Sequence, residues 1–258
     1  MSTTPRIKRV LSVTVALLCL LWLLLYLDSV HERRKAERLL SDLRAFPFTV
    51  AEFSEVRELA IRHGGNALQA APQTPPFPCT ARDCNFEIVI RPLATRLLFV
   101  PRRLSYVVFI ALNYSGIRPW AVTASFELRK GILQSSRTSV AQYRVARSGS
   151  YEGPMQIEYE VNTDRTSTRY SDADFPGSDY VVSRPYAITG EPADILRLWA
   201  VQKPDTPWKR AFDARLDCFT TVLNGCSDFR QLAPSSWADC EAMGKMLREL
   251  QRRETTQR

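Results

Sequence analysis

The chain has 258 residues, 45% of them hydrophobic and 10% aromatic, and a net charge of +8 from 35 Lys and Arg against 27 Asp and Glu. That is the composition of a globular chain and excludes a disordered one. Three of the cations, Arg6, Lys8 and Arg9, precede a long apolar run; the remaining 32 show no stripe interleaved with aromatics, so nucleic acid is not expected as a partner.

Val10 to Leu27 is a run of eighteen residues without charge, proline or glycine. As a helix it spans about 27 Å, close to the hydrocarbon thickness of a bilayer. No small-residue cleavage site follows it, because it passes directly into Asp28-Ser29-Val30-His31, so we read residues 10–27 as an uncleaved signal anchor. Residues 1–9 then form a short cytoplasmic N-terminus. The flanking charges do not orient the span, since Arg33, Arg34, Lys35 and Arg38 balance the cations before it. Cysteine does. Cys79, Cys84, Cys218, Cys226 and Cys240 all lie beyond the span, four of them in close C-x4-C and C-x7-C pairs that suit disulfides in an oxidising compartment. The expectation is a single-pass protein of the cell membrane, N-terminus inside and C-terminal domain outside the cytoplasm, periplasmic in a bacterium. Trp22 and Tyr26 sit near the outer end, where aromatic rings favour the headgroup layer.

No proline or glycine occurs between Pro5 and Pro47, so one helix is expected to leave the membrane and run on into residues 28–66, a helical stalk. Arg33, Arg34 and Lys35 at its base are candidates for lipid-headgroup contact, worth about 1 kcal/mol each against anionic lipid. Ala36, Leu39, Leu40 and Leu43 make one apolar face of this helix. After Pro47, Thr49 to Glu52 reads as a capping box for a second helix with Phe53, Val56, Leu59 and Ala60 inward, ending at His63-Gly64-Gly65. A helical hairpin packed through the two faces follows.

The leucine-rich helix, the tight turn, Thr49 and then Glu52 and Val56 together resemble the opening of small bacterial envelope lipoproteins that assist outer-membrane protein assembly. The likeness covers about 25 of the 258 residues. Those proteins place Gly-Met before the threonine where this chain has Pro47-Phe48, and carry a lipidated cysteine that is absent here. It implies a shared helix-turn-helix solution and an envelope setting.

Residues 67–78 include four prolines between Ala70 and Pro78 and read as a semi-rigid linker. The extracytoplasmic domain is residues 79–258. Alternation of apolar and polar residues marks half-buried strands at Phe86–Ile90, Val122–Arg129 and Met155–Val161, and Lys130-Gly131 marks a hairpin turn before a strand from Ile132. Leu104 to Leu112, nearly all apolar, reads as a central strand covered on both sides. Tyr180–Ile188 and Ile195–Val201 are weaker strand candidates. A helix over Trp237–Gln251, capped by Ser235 or Ser236, presents Met243, Met246, Leu247 and Leu250 on one face. The fold class is α+β: an N-terminal transmembrane helix continuing into a helical hairpin, then a mainly antiparallel sheet with a C-terminal helix.

The chemistry is sparse. The only histidines are His31 and His63, both before the sheet, so a Ser-His-Asp or Cys-His site there is geometrically awkward. His31-Glu32 opens like the zinc-protease helix, but Lys35 stands where the second histidine is needed. Four thiolates, Cys79, Cys84, Cys218 and Cys226, could hold zinc, though C-x7-C is wider than a structural knuckle, and disulfides between Cys79 and Cys84 and between Cys218 and Cys226 are the preferred reading. Cys240 is then free, or an alternative partner of Cys218 or Cys226. Asp172, Asp174 and Asp179 crowd a polar loop over 162–179 that reads as a solvated turn, and Glu158 and Glu160 read as the wet side of a strand. No cofactor or metal is expected.

These features point to a non-enzymatic scaffolding, assembly or ligand-binding role in the cell envelope, with membrane lipid and an envelope protein as partners. The alternatives are a membrane-anchored hydrolase or transferase working without histidine, and an accessory subunit pairing through its transmembrane helix.

Overall fold

A computed structural model of the chain describes residues 5–48, 50–68, 79–99, 102–148, 151–164, 180–183, 193–200, 212–222, 225–226, 228–238 and 241. Helix α1, Pro5–Ala45, runs unbroken for 41 residues, about 60 Å at 1.5 Å per residue. Pro5 opens it, where a missing N–H costs nothing. Pro47, two residues past its end, cannot continue it. From Val10 to Leu24 its leucines and valines are exposed. Burial then sets in at Leu25, Ser29, Glu32, Ala36, Leu39, Leu40 and Leu43, a spacing of three and four that draws one stripe along the helix. The same helix therefore presents hydrocarbon to its surroundings at one end and to the protein at the other.

Helix α2, Phe53–Arg62, begins at Glu52, whose N–H is accepted by the Glu55 carboxylate at 2.9 Å. The start lies three residues later than the expected box; Thr49 is outside the described residues. The free N–H of Phe53 donates to the Gly131 carbonyl at 3.1 Å, so a neighbouring turn supplies part of the cap. At the other end Gly65 N–H bonds the Ala60 carbonyl at 2.7 Å and Gly64 N–H that of Ile61 at 3.1 Å. Gly64 is the left-handed residue of this ending, at φ +69°.

The two helices do not close on each other as a separate hairpin. Ala36, Leu39, Leu40 and Leu43 of α1 and Val56, Leu59 and Ala60 of α2 share one core with Phe86, Ile88, Phe126 and Leu128. A sheet offers each stripe a wider apolar surface than the other helix does. A polar tie also joins them. Asp42 accepts from His63 Nε2 at 2.9 Å and from Arg62 at 3.3 Å.

The His63 hydrogen bond, seconded by Arg62, holds the Asp42 carboxyl below its usual value against the opposing effect of burial. A depressed folded-state value means the contribution is complete above the unfolded value, about pH 4, and is lost as pH falls through the lower folded one. Asp42→Asn should therefore lower stability near neutrality by up to about 1 kcal/mol and narrow the gap to wild type on going to pH ~3, read from urea midpoints.

Among the described residues the sheet has seven strands in the order β1-β2-β3-β4-β5-β7-β6. They are β1 Asn66–Leu68, β2 Cys84–Ile90, β3 Trp120–Arg129, β4 Ile132–Ser148, β5 Tyr151–Asp164, β6 Tyr180–Ser183 and β7 Ala193–Ala200. The first five form an antiparallel meander; β7 joins parallel to β5, and β6 lies antiparallel outside it. Asn66–Leu68 pairs with β2, so the first two residues assigned to the linker belong to the sheet, and 69–78 lie outside the described residues. Lys130 and Gly131 both have positive φ, 55° and 79°, the two-residue turn whose twist matches a hairpin. Arg82 and Ala51 bond this turn's strands through the Gly131 and Leu133 N–H groups, at 2.7 and 3.1 Å.

Leu104–Leu112 is not a strand. It is the body of helix α4, Arg102–Tyr114, which follows a short helix α3, Leu93–Arg96, and a 3-10 turn, Leu97–Phe99. Helix α4 ends on Gly116 at φ +81°, with Ile117 N–H on the Leu112 carbonyl at 3.0 Å and both side chains buried together.

The C-terminal segment covers the same sheet face as α1. Phe212, Ala214, Leu216, Phe219, Phe229 and Leu232 enter the core, and Tyr159 OH meets Ser236 Oγ at 2.8 Å. The short helix Phe229–Leu232 is capped by Asp228, and residues 234–238 are helical, so Ser235 and Ser236 lie inside a helical turn rather than before it. Met243, Met246, Leu247 and Leu250 are outside the described residues.

The structure joins Cys79 to Cys84 and Cys218 to Cys226, the two close pairs of the sequence. The second bond fixes the turn carrying Phe219, whose ring stacks on Trp120 at 5.3 Å. Replacing Cys218 and Cys226 by serine should cost about 2–3 kcal/mol through the freed loop of the unfolded chain. Urea unfolding with and without reductant measures it, and reductant should then act only through Cys79–Cys84.

Candidate functional site

Two regions carry polar or shaped features beyond core packing. One is a collar where α1 emerges from its apolar stretch. Asp28 Oδ2 accepts the Leu93 N–H at 2.5 Å, capping α3, and Ser29 Oγ accepts the Trp120 indole N–H at 2.9 Å. Trp120 is fully buried, and its backbone N–H and carbonyl both bond Thr95 Oγ1, at 2.9 and 2.6 Å. One turn higher, Arg33 donates to Thr220 Oγ1 at 2.6 Å; near its end, Arg44 donates to the Phe212 carbonyl at 3.0 Å and Asp213 at 2.8 Å. Helix α1 is thus pinned to α3, β3 and the C-terminal segment along its upper half.

Below the collar, α3 and α4 lean on the exposed part of α1. Leu25, Ala94, Leu112 and Ile117 form a second apolar cluster, flanked by Trp22, Leu97, Leu98 and Val108. The Trp22 indole donates to the Ser115 carbonyl at 2.9 Å and its ring stacks on Tyr26 at 5.5 Å. A groove of about 620 Å³ remains between α1 and α4.

The other region is the sheet face turned away from the helices. Glu158 and Glu160 on β5 are buried there, 9% and 2% exposed, and not on a wet strand edge. β5 is an inner strand, so alternation assigns these residues to the second face but does not decide whether it is covered. Glu158 accepts from Ser139 Oγ and from Gln156 Nε2 at 2.7 Å; Glu160 accepts from Asn162 Nδ2 at 2.6 Å and Arg137 at 3.0 Å. Beside them opens a cleft of about 380 Å³ whose polar walls include Asn85, Ser125, Glu127, Ser135 and Arg137. Hydroxyls, amides and a guanidinium already neutralised by Glu160 suit hydrogen bonding to a polar surface.

Of the headgroup candidates, Arg33 also pairs with Glu37 at 3.3 Å and Lys35 with Glu32 at 2.6 Å, while Arg34 is exposed. Arg33 and Lys35 therefore spend part of their hydrogen-bonding capacity within the protein. His31 and His63 lie on α1 and after α2, away from the sheet's second face. Cys19 is a free, exposed thiol within the apolar stretch. Cys240 and the acidic loop with Asp172, Asp174 and Asp179 fall outside the described residues. Among the described residues no group of three or more His, Cys, Asp or Glu is placed to hold a metal ion. Sequence reasoning missed the collar, although Pro101 and Gly116 bracket α4 as helix punctuation. No family model, no curated protein and no solved structure matches the chain.

Proposed function

We propose that this protein is a single-pass, signal-anchored scaffold of the cell envelope, with its N-terminus in the cytoplasm and its sheet domain held outside, close against the membrane surface. The observation that carries the reading is α1 itself. One unbroken helix passes from an exposed apolar stretch into the core of a domain stapled by two disulfides. A domain joined this way cannot swing on a linker, so it presents the second sheet face at a set height and angle. The satisfied Glu158–Glu160 network supports a structural use of those carboxylates over an acid/base pair. Arg34 and its neighbours would meet anionic headgroups at the base.

The test is crosslinked affinity capture of the full chain from its own membrane, compared with Ser125→Trp, which fills the polar cleft. The expected result is an envelope protein recovered with the wild type and lost with Ser125→Trp. Recovery of a small molecule by the purified chain, with no protein lost by the substitution, would replace the scaffold reading with a ligand-binding or catalytic one.

A further inference from the structure

We infer that the groove between α1 and α4 is a lipid site that takes one hydrocarbon chain of a membrane phospholipid, with α4 lying in the leaflet on the domain's side. The inference rests on the reading of Val10 to Leu27 as a membrane span. One wall is Leu18, Cys19, Leu21, Trp22 and Leu25, all within that stretch, so the groove lies at hydrocarbon depth; the facing wall includes Val108, Ala111 and Leu112. Its volume, about 620 Å³, lies within the range of about 300–1,000 Å³ common for small-molecule sites.

The lining holds no polar demand for a ligand to meet. Ser115 Oγ donates to the Leu112 carbonyl at 2.7 Å, and the Ser115 carbonyl accepts from Trp22. Only an apolar occupant fits such walls. The groove's own wall on α1 stays open to the surroundings, with Leu18 and Leu21 60% and 52% exposed, and α4 exposes Val107 and Tyr114, 62% and 74%. This surface is continuous with the span, which makes a lipid chain rather than a water-borne ligand the species that reaches it. Closely packed membrane helices favour small residues at their contact, which the α4 wall has in Ala111 and Ser115 but the α1 wall lacks. Helix α1 offers leucine and tryptophan, between which a flexible chain can thread. The segment from Arg91 to Tyr114 also carries Arg91, Arg96, Arg102 and Arg103 and no acidic residue, a charge balance that favours an anionic phosphate headgroup.

The experiment reconstitutes the full chain in phosphatidylcholine vesicles containing a phosphatidylcholine with a photoactivatable group in its acyl chain, then maps adducts by mass spectrometry. Adducts are expected on both walls, on Leu21 and Trp22 and on Ala111 and Leu112. Ala111→Trp, or Leu18→Trp from the opposite wall, should reduce labelling of the facing wall at least about tenfold by occupying the space of several methylenes. Leu20→Trp, off the groove, should leave it unchanged. Equal labelling in all four proteins would reduce the groove to ordinary annular contact and overturn the site. Adducts joining a second protein across the groove would overturn it in favour of a helix partner. Carbonate extraction separates the two levels: a chain that stays in the vesicles yet labels uniformly loses only the lipid site, whereas a chain released by carbonate loses the span as well.

Discussion

Leu39→Ala is expected to destabilise the folded domain by about 2–5 kcal/mol, while Leu20→Ala on the same helix leaves its unfolding unchanged. Both are leucines in α1, fewer than six turns apart. Leu39 is fully buried beside Val56 and Phe86, and truncating it leaves a cavity ringed by helix and sheet side chains that cannot collapse onto one another. Leu20 is 53% exposed on the apolar stretch and touches neither core, so its loss removes only contact with the surroundings. The pair of variants, unfolded in urea in mild detergent and followed by far-ultraviolet circular dichroism, locates where along one helix the membrane part ends and the domain part begins. A large effect at both positions would mean that the lower stretch packs into protein; no effect at Leu39 would mean that α1 is only a tether.

The second large effect belongs to Trp120. Trp120→Ala should cost about 3–5 kcal/mol, because the side chain is fully buried, stacks on Phe219 and fills the space between the sheet and α1. Trp120→Phe separates packing from hydrogen bonding. It keeps a ring against Phe219 but removes the indole N–H from Ser29, a residue only 4% exposed, and should still cost about 1–3 kcal/mol for the orphaned hydroxyl together with the lost volume. Ser29→Ala in the Trp120→Phe background should then be nearly neutral, since both polar partners are gone. A full additional loss from Ser29→Ala in that background would contradict the pairing. Equilibrium urea curves for the four proteins make the double-mutant cycle.

The elements that the sequence reveals are those whose periodicity settles their type. Alternation in Phe86–Ile90, Val122–Arg129 and Met155–Val161 places β2, β3 and β5, and Lys130-Gly131 places the turn between β3 and β4. The unbroken run from Pro5 to Pro47 yields α1 almost to the residue. The α4 segment fails for a physical reason. LSYVVFIAL is apolar at nearly every position, so it carries neither a period of two nor one of 3.6, and its β-branched and aromatic residues favour a strand. An apolar run of that kind is buried on all sides or faces lipid, and α4, packed on the exposed part of α1, has surroundings that the chain pattern alone does not name.

The apolar faces of α1 and α2 were legible too, but a face does not name its partner. Ala36 to Leu43 and Val56 to Ala60 fit each other as well as a sheet on helical spacing alone; only the position of β2 and β3 decides. Glu158 and Glu160 show the same limit on a strand. Their alternation is correct and assigns them to the second face of β5, but alternation does not say whether that face is covered, a matter set by residues far along the chain. The collar was the least legible, because Asp28 and Ser29 acquire their meaning from Leu93 and Trp120, more than sixty residues away.

The most direct test of α1 as both membrane span and spine of an outside domain is the accessibility of a thiol placed at Glu58, which is 73% exposed on α2. In intact cells, Glu58→Cys should react with a membrane-impermeant maleimide as fast as it does after permeabilisation, with the unsubstituted chain as blank. Reaction only after the membrane is opened would place the domain in the cytoplasm and contradict this topology.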